Sequence, residues 1–214
     1  MGSLCDRLEQ EAIFGLASIS PGERVLDIGC GTGIYTLAAS QRGAWVIGLD
    51  ASTEMVRAAR KKLQSAGRPP RLVVASAESL PFRAERFDLI IGVTSLCFVA
   101  RPEDALSQAW RVLKPGGCLV LGELNRHSPW AWFRRIKGLF TETIYSKAHF
   151  WGPQELVELL SRQGYQVGQT RTLIFFPPVN TSWILGTHIF LDRLGKKQWP
   201  RFGAFLAVRA VKPE

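Results

Sequence analysis

Three glycines with the spacing G-x-G-x-G follow a short apolar stretch near the start of the chain, at Gly29, Gly31 and Gly33. Glycines at such a point let the backbone approach a ligand closely, and the helix that follows offers free N–H groups in its first turn. The dinucleotide pattern G-x-G-x-x-G would need a glycine where Ile34 stands, and Asp27 would add negative charge beside a pyrophosphate. The loop therefore predicts close contact between backbone and ligand, and it disfavours a nicotinamide dinucleotide.

This loop belongs to a chain whose composition suits one folded domain. The chain has 214 residues, of which 46% are hydrophobic and 21% charged, so we expect a single domain over residues 1–214. Strand-like and helix-like segments alternate, which predicts parallel βαβ units in a doubly wound α/β sheet. The predicted strands are Arg24–Ile28, Trp45–Leu49, Leu72–Ala75, Phe87–Val93, Cys118–Glu123, Gln166–Phe176 and Phe202–Val211.

The helices that separate these strands are predicted from their apolar spacing and their end signals. Ser52 is a good N-cap, and Lys114–Gly117 should close the fourth helix because glycine suits a C-cap and proline prevents continuation. The predicted helices are Leu4–Ile19, Ile34–Arg42, Thr53–Ala66, Glu103–Leu113, Gln154–Gln163 and Thr181–Leu194.

The glycine loop, Asp27-Ile-Gly-Cys-Gly-Thr-Gly33, resembles motif I of the class I S-adenosylmethionine-dependent methyltransferases. Further blocks resemble this family in the same order: Gly48-Leu-Asp50 with Ser52 and Met55, Ala77-Glu78 before Leu80-Pro81-Phe82, Phe87-Asp88, and Arg111-Val-Leu-Lys-Pro-Gly-Gly117. The blocks cover roughly residues 20–125 and are similar to the small-molecule branch that includes quinone-biosynthesis methyltransferases. The resemblance implies a Rossmann-like, mostly parallel seven-stranded sheet with helices on both faces and an aromatic-basic cap.

The resemblance also implies a cofactor, S-adenosylmethionine, with S-adenosylhomocysteine as its product. The residues expected to bind it are Asp27, Gly29, Cys30, Gly31, Gly33, Asp50, Ala51, Met55, Ala77, Glu78 and Thr94. By this resemblance, Asp27 would hold the α-ammonium group, and Gly29 and Gly31 would leave room for the methionine portion and the ribose. Asp50, at the end of the second strand, would accept hydrogen bonds from both ribose hydroxyls, as an acidic residue does in nucleotide-binding folds.

The remaining implied contacts surround the adenine and the methionine end. Ala51 and Met55 would enclose the adenine, since methionine suits an irregular apolar slot. Glu78 or the backbone of Ala77 would meet the adenine amine, and Thr94 would line the floor near the methionine end. Taken alone, Met55 would be a core residue and Glu78 a solvated carboxylate, so these roles depend on the five blocks together.

The second half of the chain is basic and aromatic, whereas the first half is neutral. Residues 1–107 contain 12 Lys/Arg and 12 Asp/Glu, while residues 108–214 contain 15 Lys/Arg, 6 Asp/Glu and six of the seven tryptophans. Such a combination indicates an anionic or lipophilic partner. We therefore expect a small, lipophilic or aromatic acceptor molecule.

The family resemblance implies that the region after the fifth strand caps the acceptor pocket. We expect cap insertions at residues 126–152 and 178–201. Aromatic walls suit a flat acceptor, while Arg134, Arg135 and Lys137 would meet lipid phosphates, so peripheral membrane contact through the cap is a further expectation. The alternative is a lid packed on the sheet with solvated charges.

Methyl transfer from a sulfonium needs a general base only where the acceptor must lose a proton. Of the three histidines, His149 lies within the aromatic segment, and we predict it as the catalytic base, with a structural role as the alternative. The fifth strand ends Gly122-Glu-Leu-Asn125 without an acidic cluster, so we expect no metal. The four cysteines form no CxxC pair, which favours a reducing, cytoplasmic location.

Two other functions compete with a small-molecule methyltransferase. One is an RNA or other nucleic-acid methyltransferase or binding protein that uses the basic half. The residues after the fourth strand are Thr94-Ser95-Leu96-Cys97, without the Asn-Pro-Pro-aromatic tetrad of enzymes that methylate base amino groups, so we expect no specific nucleic acid. The other is an NAD-linked oxidoreductase, which Asp50 permits but Asp27 and Ile34 disfavour.

Overall fold

A computed structural model describes residues 3–132, 148–175, 194–195 and 197–214. Within these ranges, one sheet of seven strands has the order β3-β2-β1-β4-β5-β7-β6. The strands are β1 (Arg24–Ile28), β2 (Trp45–Asp50), β3 (Leu72–Val74), β4 (Phe87–Val93), β5 (Leu113–Leu124), β6 (Gln166–Leu173) and β7 (Phe205–Val211). Only β7 among them runs antiparallel to its neighbours, β5 and β6. The predicted doubly wound, mostly parallel sheet is confirmed.

Helices pack on both faces of this sheet. They are α1 (Ser3–Ala17), α2 (Ile34–Gln41), α3 (Thr53–Ser65), α4 (Pro102–Val112) and α5 (Pro153–Arg162). Buried side chains of α1 and α2 share one apolar cluster, and those of α4 and α5 share the cluster on the opposite face. Within the described residues, no helix is long and apolar enough to cross a membrane.

Local sequence explains how α3 begins and which face it buries. The side chain of Ser52 caps it by accepting a hydrogen bond from the backbone N–H of Met55, at 3.3 Å. Its buried residues are Val56, Ala59 and Leu63. These positions are three and four residues apart, so they lie on one side of the helix. The cap fixes the start of α3 immediately after the end of β2.

The structure differs from the sequence-based expectation at the junction of α4 and β5. Lys114–Gly117 does not cap the helix: α4 ends at Val112, and Leu113 already has the extended backbone of a strand. Leu113 pairs with Phe87 on β4, so sheet pairing overrides the local helix-stop signal. Gly116, with φ of 72°, lies in the irregular first part of β5.

The sheet topology brings the ends of several strands to one edge. Because β7 is antiparallel, Phe205 at its start pairs with both Leu124 at the end of β5 and Leu173 at the end of β6. This carboxyl edge therefore carries the ends of β1, β2, β4, β5 and β6 and the beginning of β7. Ligands in open α/β sheets bind at such an edge.

Both predicted cap insertions leave the sheet at this edge. Most of their length falls on residues 133–147, 176–193 and 196, which lie outside the described residues. Arg134, Arg135, Lys137 and the predicted helix 181–194, apart from its last residue, belong there. At the base of the first insertion, Asn125, the residue before it, forms a parallel bridge with Trp151 near its end.

Candidate functional site

The three loop glycines all have left-handed backbones, with φ of 68° at Gly29, 51° at Gly31 and 79° at Gly33. A Cβ on Gly29 would lie 2.4 Å from the Cβ of Ser95, and one on Gly33 would lie 2.9 Å from the Cβ of Ala59. Packing therefore requires glycine at these two positions. A Cβ on Gly31, by contrast, would meet no atom of the described chain within 4 Å, so the loop is open to a ligand there.

Asp50 lies beside this open space, at the end of β2. Its Oδ2 accepts a hydrogen bond from the N–H of Gly31 at 2.8 Å, and its Oδ1 accepts one from the N–H of Ser52 at 2.9 Å. Two side chains that follow are unburied: Ala51 is exposed, and Met55 is 41% exposed despite its apolar character. The structure thus brings a fixed carboxylate to the glycine loop and leaves Ala51 and Met55 exposed after it, while the contacts of these three residues with the cofactor stay predictions.

Asp27 lies under the loop and is only 2% exposed. Burial raises the pKa of its carboxyl from 3.8 to about 7, although hydrogen bonds from Thr36 oppose this shift. The hydroxyl of Thr36, on α2, donates to Asp27 Oδ2 at 2.5 Å. A carboxyl group with this environment gains from a cationic ligand that would stabilise its ionised form.

Cys30 has a structural position within the same loop. Its backbone N–H donates to the carbonyl of Leu49 at 2.9 Å, which joins the loop to β2. The side chain is buried, and burial raises the pKa of the thiol well above its ordinary range. Cys30 is therefore a buried residue whose backbone shapes the loop, and its contact with the cofactor stays a prediction.

The Ala77–Glu78 segment lies close to the end of β2, because the N–H of Ala75 donates to the carbonyl of Asp50 at 3.1 Å. The carboxylate of Glu78 already has partners: it accepts hydrogen bonds from the N–H of Arg101 at 2.9 Å and from the Ser76 hydroxyl at 3.1 Å. Glu78 thus ties this segment to the start of α4, and its contact with adenine stays a prediction.

Thr94 follows β4 and has a φ of 49°, a strained conformation for a β-branched residue. Its N–H donates to the carbonyl of Gly122 on β5 at 2.7 Å. The next residue, Ser95, packs against Gly29. The structure therefore brings the predicted Thr94 next to the glycine loop, on a turn that leads into a short 3-10 helix at Leu96–Phe98.

Two buried polar residues at the end of β5 were not predicted as site residues. Glu123 is 0% exposed and accepts hydrogen bonds from the backbone N–H groups of residues 95–97. Burial raises the pKa of its carboxyl to about 7, against the opposing effect of these hydrogen bonds. Asn125 donates from Nδ2 to the carbonyls of Arg201 and Gly203 at 2.8 and 2.7 Å. The sequence signal that could have identified Glu123 is its position as a lone acidic residue in an otherwise apolar strand.

His149 lies at the base of the first insertion, a few residues before α5. Its backbone N–H donates to the carbonyl of Cys97 at 2.7 Å, which connects it to the turn after β4. Its half-exposed ring lies against Trp151, with ring centroids 4.3 Å apart, and its Nε2 lies 3.0 Å from Glu155 Oε1. The ring lines a groove between α4 and α5. A catalytic role for His149 stays a prediction.

The fold and the site together define an open α/β protein with a glycine loop and a fixed carboxylate at the carboxyl edge of its sheet, where proteins of this architecture bind ligands. A family model described as a methyltransferase domain matches residues 26–121. An uncharacterised methyltransferase of Synechocystis is 36% identical over 76% of this chain and 75% of its own length. A ubiquinone biosynthesis O-methyltransferase of Cereibacter sphaeroides is 31% identical over 78% and 69%, respectively.

A solved structure supports the same assignment. The S-adenosylmethionine-dependent methyltransferase of Thermotoga maritima, described as a possible histamine N-methyltransferase, has a TM-score of 0.71 and 27% identity, over 95% of this chain and 87% of that one. The chain belongs to the class I S-adenosylmethionine-dependent methyltransferases. Its cofactor is S-adenosylmethionine.

The residues at the site fit this cofactor. A nucleoside with a ribose diol needs a hydrogen-bond acceptor and space, and Asp50 and Gly31 provide these side by side. An α-ammonium group needs a carboxylate, and Asp27 lies beneath the same loop. The exposed Met55 offers an apolar surface in the first turn of α3, the helix that follows Asp50. The two carboxylates and the open space at Gly31 thus agree with the family assignment.

Proposed function

We propose that the enzyme transfers the methyl group to a small, lipophilic or aromatic acceptor by in-line displacement. An apolar cleft of about 360 Å³ at the carboxyl edge carries this proposal. Its lining includes Pro129, Trp130, Phe175, Trp199 and Phe202. Aromatic walls with few polar groups favour a flat, apolar ligand over a charged one.

The position of the cleft supports an acceptor site. Trp130 follows the end of β5, Phe175 follows β6, and Phe202 precedes β7, so all three belong to the same edge as the glycine loop. Asn125 fixes this arrangement, since its side chain binds two carbonyls of the segment before β7. The cleft and the proposed cofactor residues therefore border neighbouring strands of one sheet edge.

The contribution of the chain to catalysis is mainly positioning and exclusion of water. When bound, S-adenosylmethionine supplies a methyl group that its sulfonium has already activated. In this proposal Asp27 holds the α-ammonium group, Asp50 accepts the ribose hydroxyls, and Ala51 and Met55 contact the adenine. The apolar cleft orients the acceptor and shields it from solvent.

A hydroxyl acceptor would also have to lose a proton, and His149 is the base proposed for that step. Its ring lines the groove between α4 and α5 and not the apolar cleft, so this assignment requires an acceptor whose hydroxyl reaches from the cleft to that groove. Glu155 would orient the ring, since its carboxylate lies 3.0 Å from Nε2. Although burial raises the pKa of Glu155, hydrogen bonds from Gly152 and His149 and the charge of Arg126 together lower it, so this carboxylate stays ionised. The relative from Cereibacter sphaeroides, a ubiquinone biosynthesis O-methyltransferase, supports phenolic or quinol hydroxyls as the first acceptors to test.

Calorimetric titration with S-adenosylhomocysteine, with NAD as the comparison, tests the cofactor part of this proposal. We expect micromolar affinity for S-adenosylhomocysteine and none for NAD. Methyl transfer to a panel of lipophilic phenols and quinols then tests the acceptor. Activity confined to charged or nucleic-acid acceptors would contradict the acceptor class.

Two exposed tryptophans supply a matched pair for the cleft itself. Trp199 lines the cleft and is 54% exposed, whereas Trp132 is 69% exposed and is not among the cleft residues. Trp199→Ala should raise the KM of the acceptor about tenfold, because one aromatic contact in the cleft is lost. It should leave the Kd of S-adenosylhomocysteine unchanged. Trp132→Ala should change neither. Equal effects of the two variants would place the acceptor elsewhere.

A further inference from the structure

The carboxylate of Glu123 organises the chain between β4 and α4. Its Oε1 accepts hydrogen bonds from the N–H groups of Ser95 at 3.3 Å and Leu96 at 2.9 Å, and its Oε2 accepts one from Cys97 at 3.2 Å. These donors lie at the start of the 3-10 helix Leu96–Phe98, where backbone N–H groups lack partners within the helix. A side chain from a neighbouring strand therefore caps this turn, from a fully buried position.

The turn held by Glu123 contacts both sides of the proposed active site. On one side, Ser95 packs so closely on Gly29 that no Cβ fits at that glycine. On the other, the carbonyl of Cys97 accepts the N–H of His149 at 2.7 Å. Thr94, at the start of the turn, keeps a strained φ of 49°. A strained residue persists only where surrounding contacts fix it, and Glu123 supplies such contacts.

We propose that Glu123 is a positioning residue for methyl transfer: it holds residues 94–98 against the glycine loop and so shapes the end of the site that receives the methionine portion of the cofactor. This inference rests on the proposed function, specifically on the assignment of Thr94 to the methionine end. Glu123 itself is buried beneath the turn and acts through it.

Glu123→Gln tests the proposal with little change in size. The amide keeps one acceptor oxygen but turns an NH2 group toward backbone N–H donors, so part of the cap is lost. We expect the Kd of S-adenosylhomocysteine to rise about tenfold, as loss of about one of the hydrogen bonds that hold the turn predicts. The Kd of adenosine, which lacks the methionine portion, should stay the same.

Asp88→Asn is the matched control. Asp88 lies on β4 near the opposite edge of the sheet, and its carboxylate also accepts a backbone hydrogen bond, from Arg24 at 2.8 Å, in addition to its ion pair with Lys114. This variant should lower thermal stability and leave both Kd values unchanged. An unchanged Kd of S-adenosylhomocysteine in Glu123→Gln, or equal losses for both ligands, would overturn the proposal.

Hydrogen exchange in the wild-type enzyme gives an independent test where Glu123→Gln does not fold. Amides of residues 95–97 should gain more protection from S-adenosylhomocysteine than from adenosine, and equal protection would overturn the role of the turn. If the wild type binds no S-adenosylhomocysteine at all, the proposed function fails instead. The two failures are therefore distinguishable.

Discussion

The Asp50 carboxylate accepts a hydrogen bond from the N–H of Gly31 at 2.8 Å, so the end of β2 holds the loop that follows β1. Its other oxygen accepts the N–H of Ser52. A carboxylate has about four lone-pair sites, so each oxygen keeps capacity for a further donor such as a ribose hydroxyl. Asp50 is thus already oriented by the protein before a ligand arrives, which lowers the entropic cost of binding.

Removal of the Asp50 carboxylate should therefore weaken cofactor binding strongly. Asp50→Ala loses the proposed acceptor for the ribose hydroxyls and also releases Gly31, so we expect the Kd of S-adenosylhomocysteine to rise at least about a hundredfold. Glu54→Ala removes an exposed carboxylate four residues away and should change the Kd less than about twofold. Calorimetry measures both, and similar losses would show that Asp50 has no specific role.

The open space at Gly31 leads to a second prediction, for which Gly67 is the control. Gly31 and Gly67 have φ of 51° and 64°, and at neither would a Cβ meet an atom of the described chain within 4 Å. Alanine at either position should cost about 1–2 kcal/mol of unfolding free energy through backbone strain alone.

Only Gly31→Ala, however, would put a methyl group into the space assigned to the ligand. We expect similar urea midpoints for the two variants and a loss of S-adenosylhomocysteine affinity in Gly31→Ala alone. Retained affinity in Gly31→Ala would mean that the ligand approaches the loop from another direction.

Most of the cofactor side follows from short-range sequence patterns. The glycine spacing predicts the left-handed loop, and the apolar runs predict β1, β2 and β4, because these signals depend on neighbouring residues. Glu123 was missed because its partners are 26–28 residues away along the chain, and only the pairing of β4 with β5 brings them together. The predicted cap at Lys114–Gly117 and the predicted start of the fifth strand at Cys118 were wrong for a related reason, since the pairing of Leu113 with Phe87 outweighs a local helix-stop signal.

The predicted role of His149 separates catalysis from binding. With a phenolic acceptor, His149→Gln should lower kcat by about a hundredfold, within the range for loss of a general base, and leave the Kd of S-adenosylhomocysteine unchanged. The control is His127→Gln, which alters a second histidine, near Gly152, and should have little effect on kcat. If the two variants behave alike, His149 contributes to packing against Trp151 and not to proton transfer.

The raised pKa of Asp27 predicts how stability depends on pH. Burial raises the pKa of this carboxyl to about 7, so between its ordinary value of 3.8 and about 7 the folded protein retains a proton that the unfolded chain has lost. Stability is therefore greatest at the acidic end of this range and falls as pH rises, by up to about 1.4 kcal/mol per pH unit. Glu123 acts in the same direction. Asp27→Asn should make the fall of Tm with pH shallower.

Cofactor binding should show the opposite dependence on pH. An α-ammonium group stabilises the ionised form of Asp27, so affinity for S-adenosylhomocysteine should increase between about pH 6 and 8, and binding should release a proton. Calorimetry in two buffers of different ionisation enthalpy measures that proton. Asp27→Asn should bind S-adenosylhomocysteine more weakly and release fewer protons on binding. An unchanged number of released protons in this variant would assign the release to another group, and Glu123→Gln would be the next variant to compare.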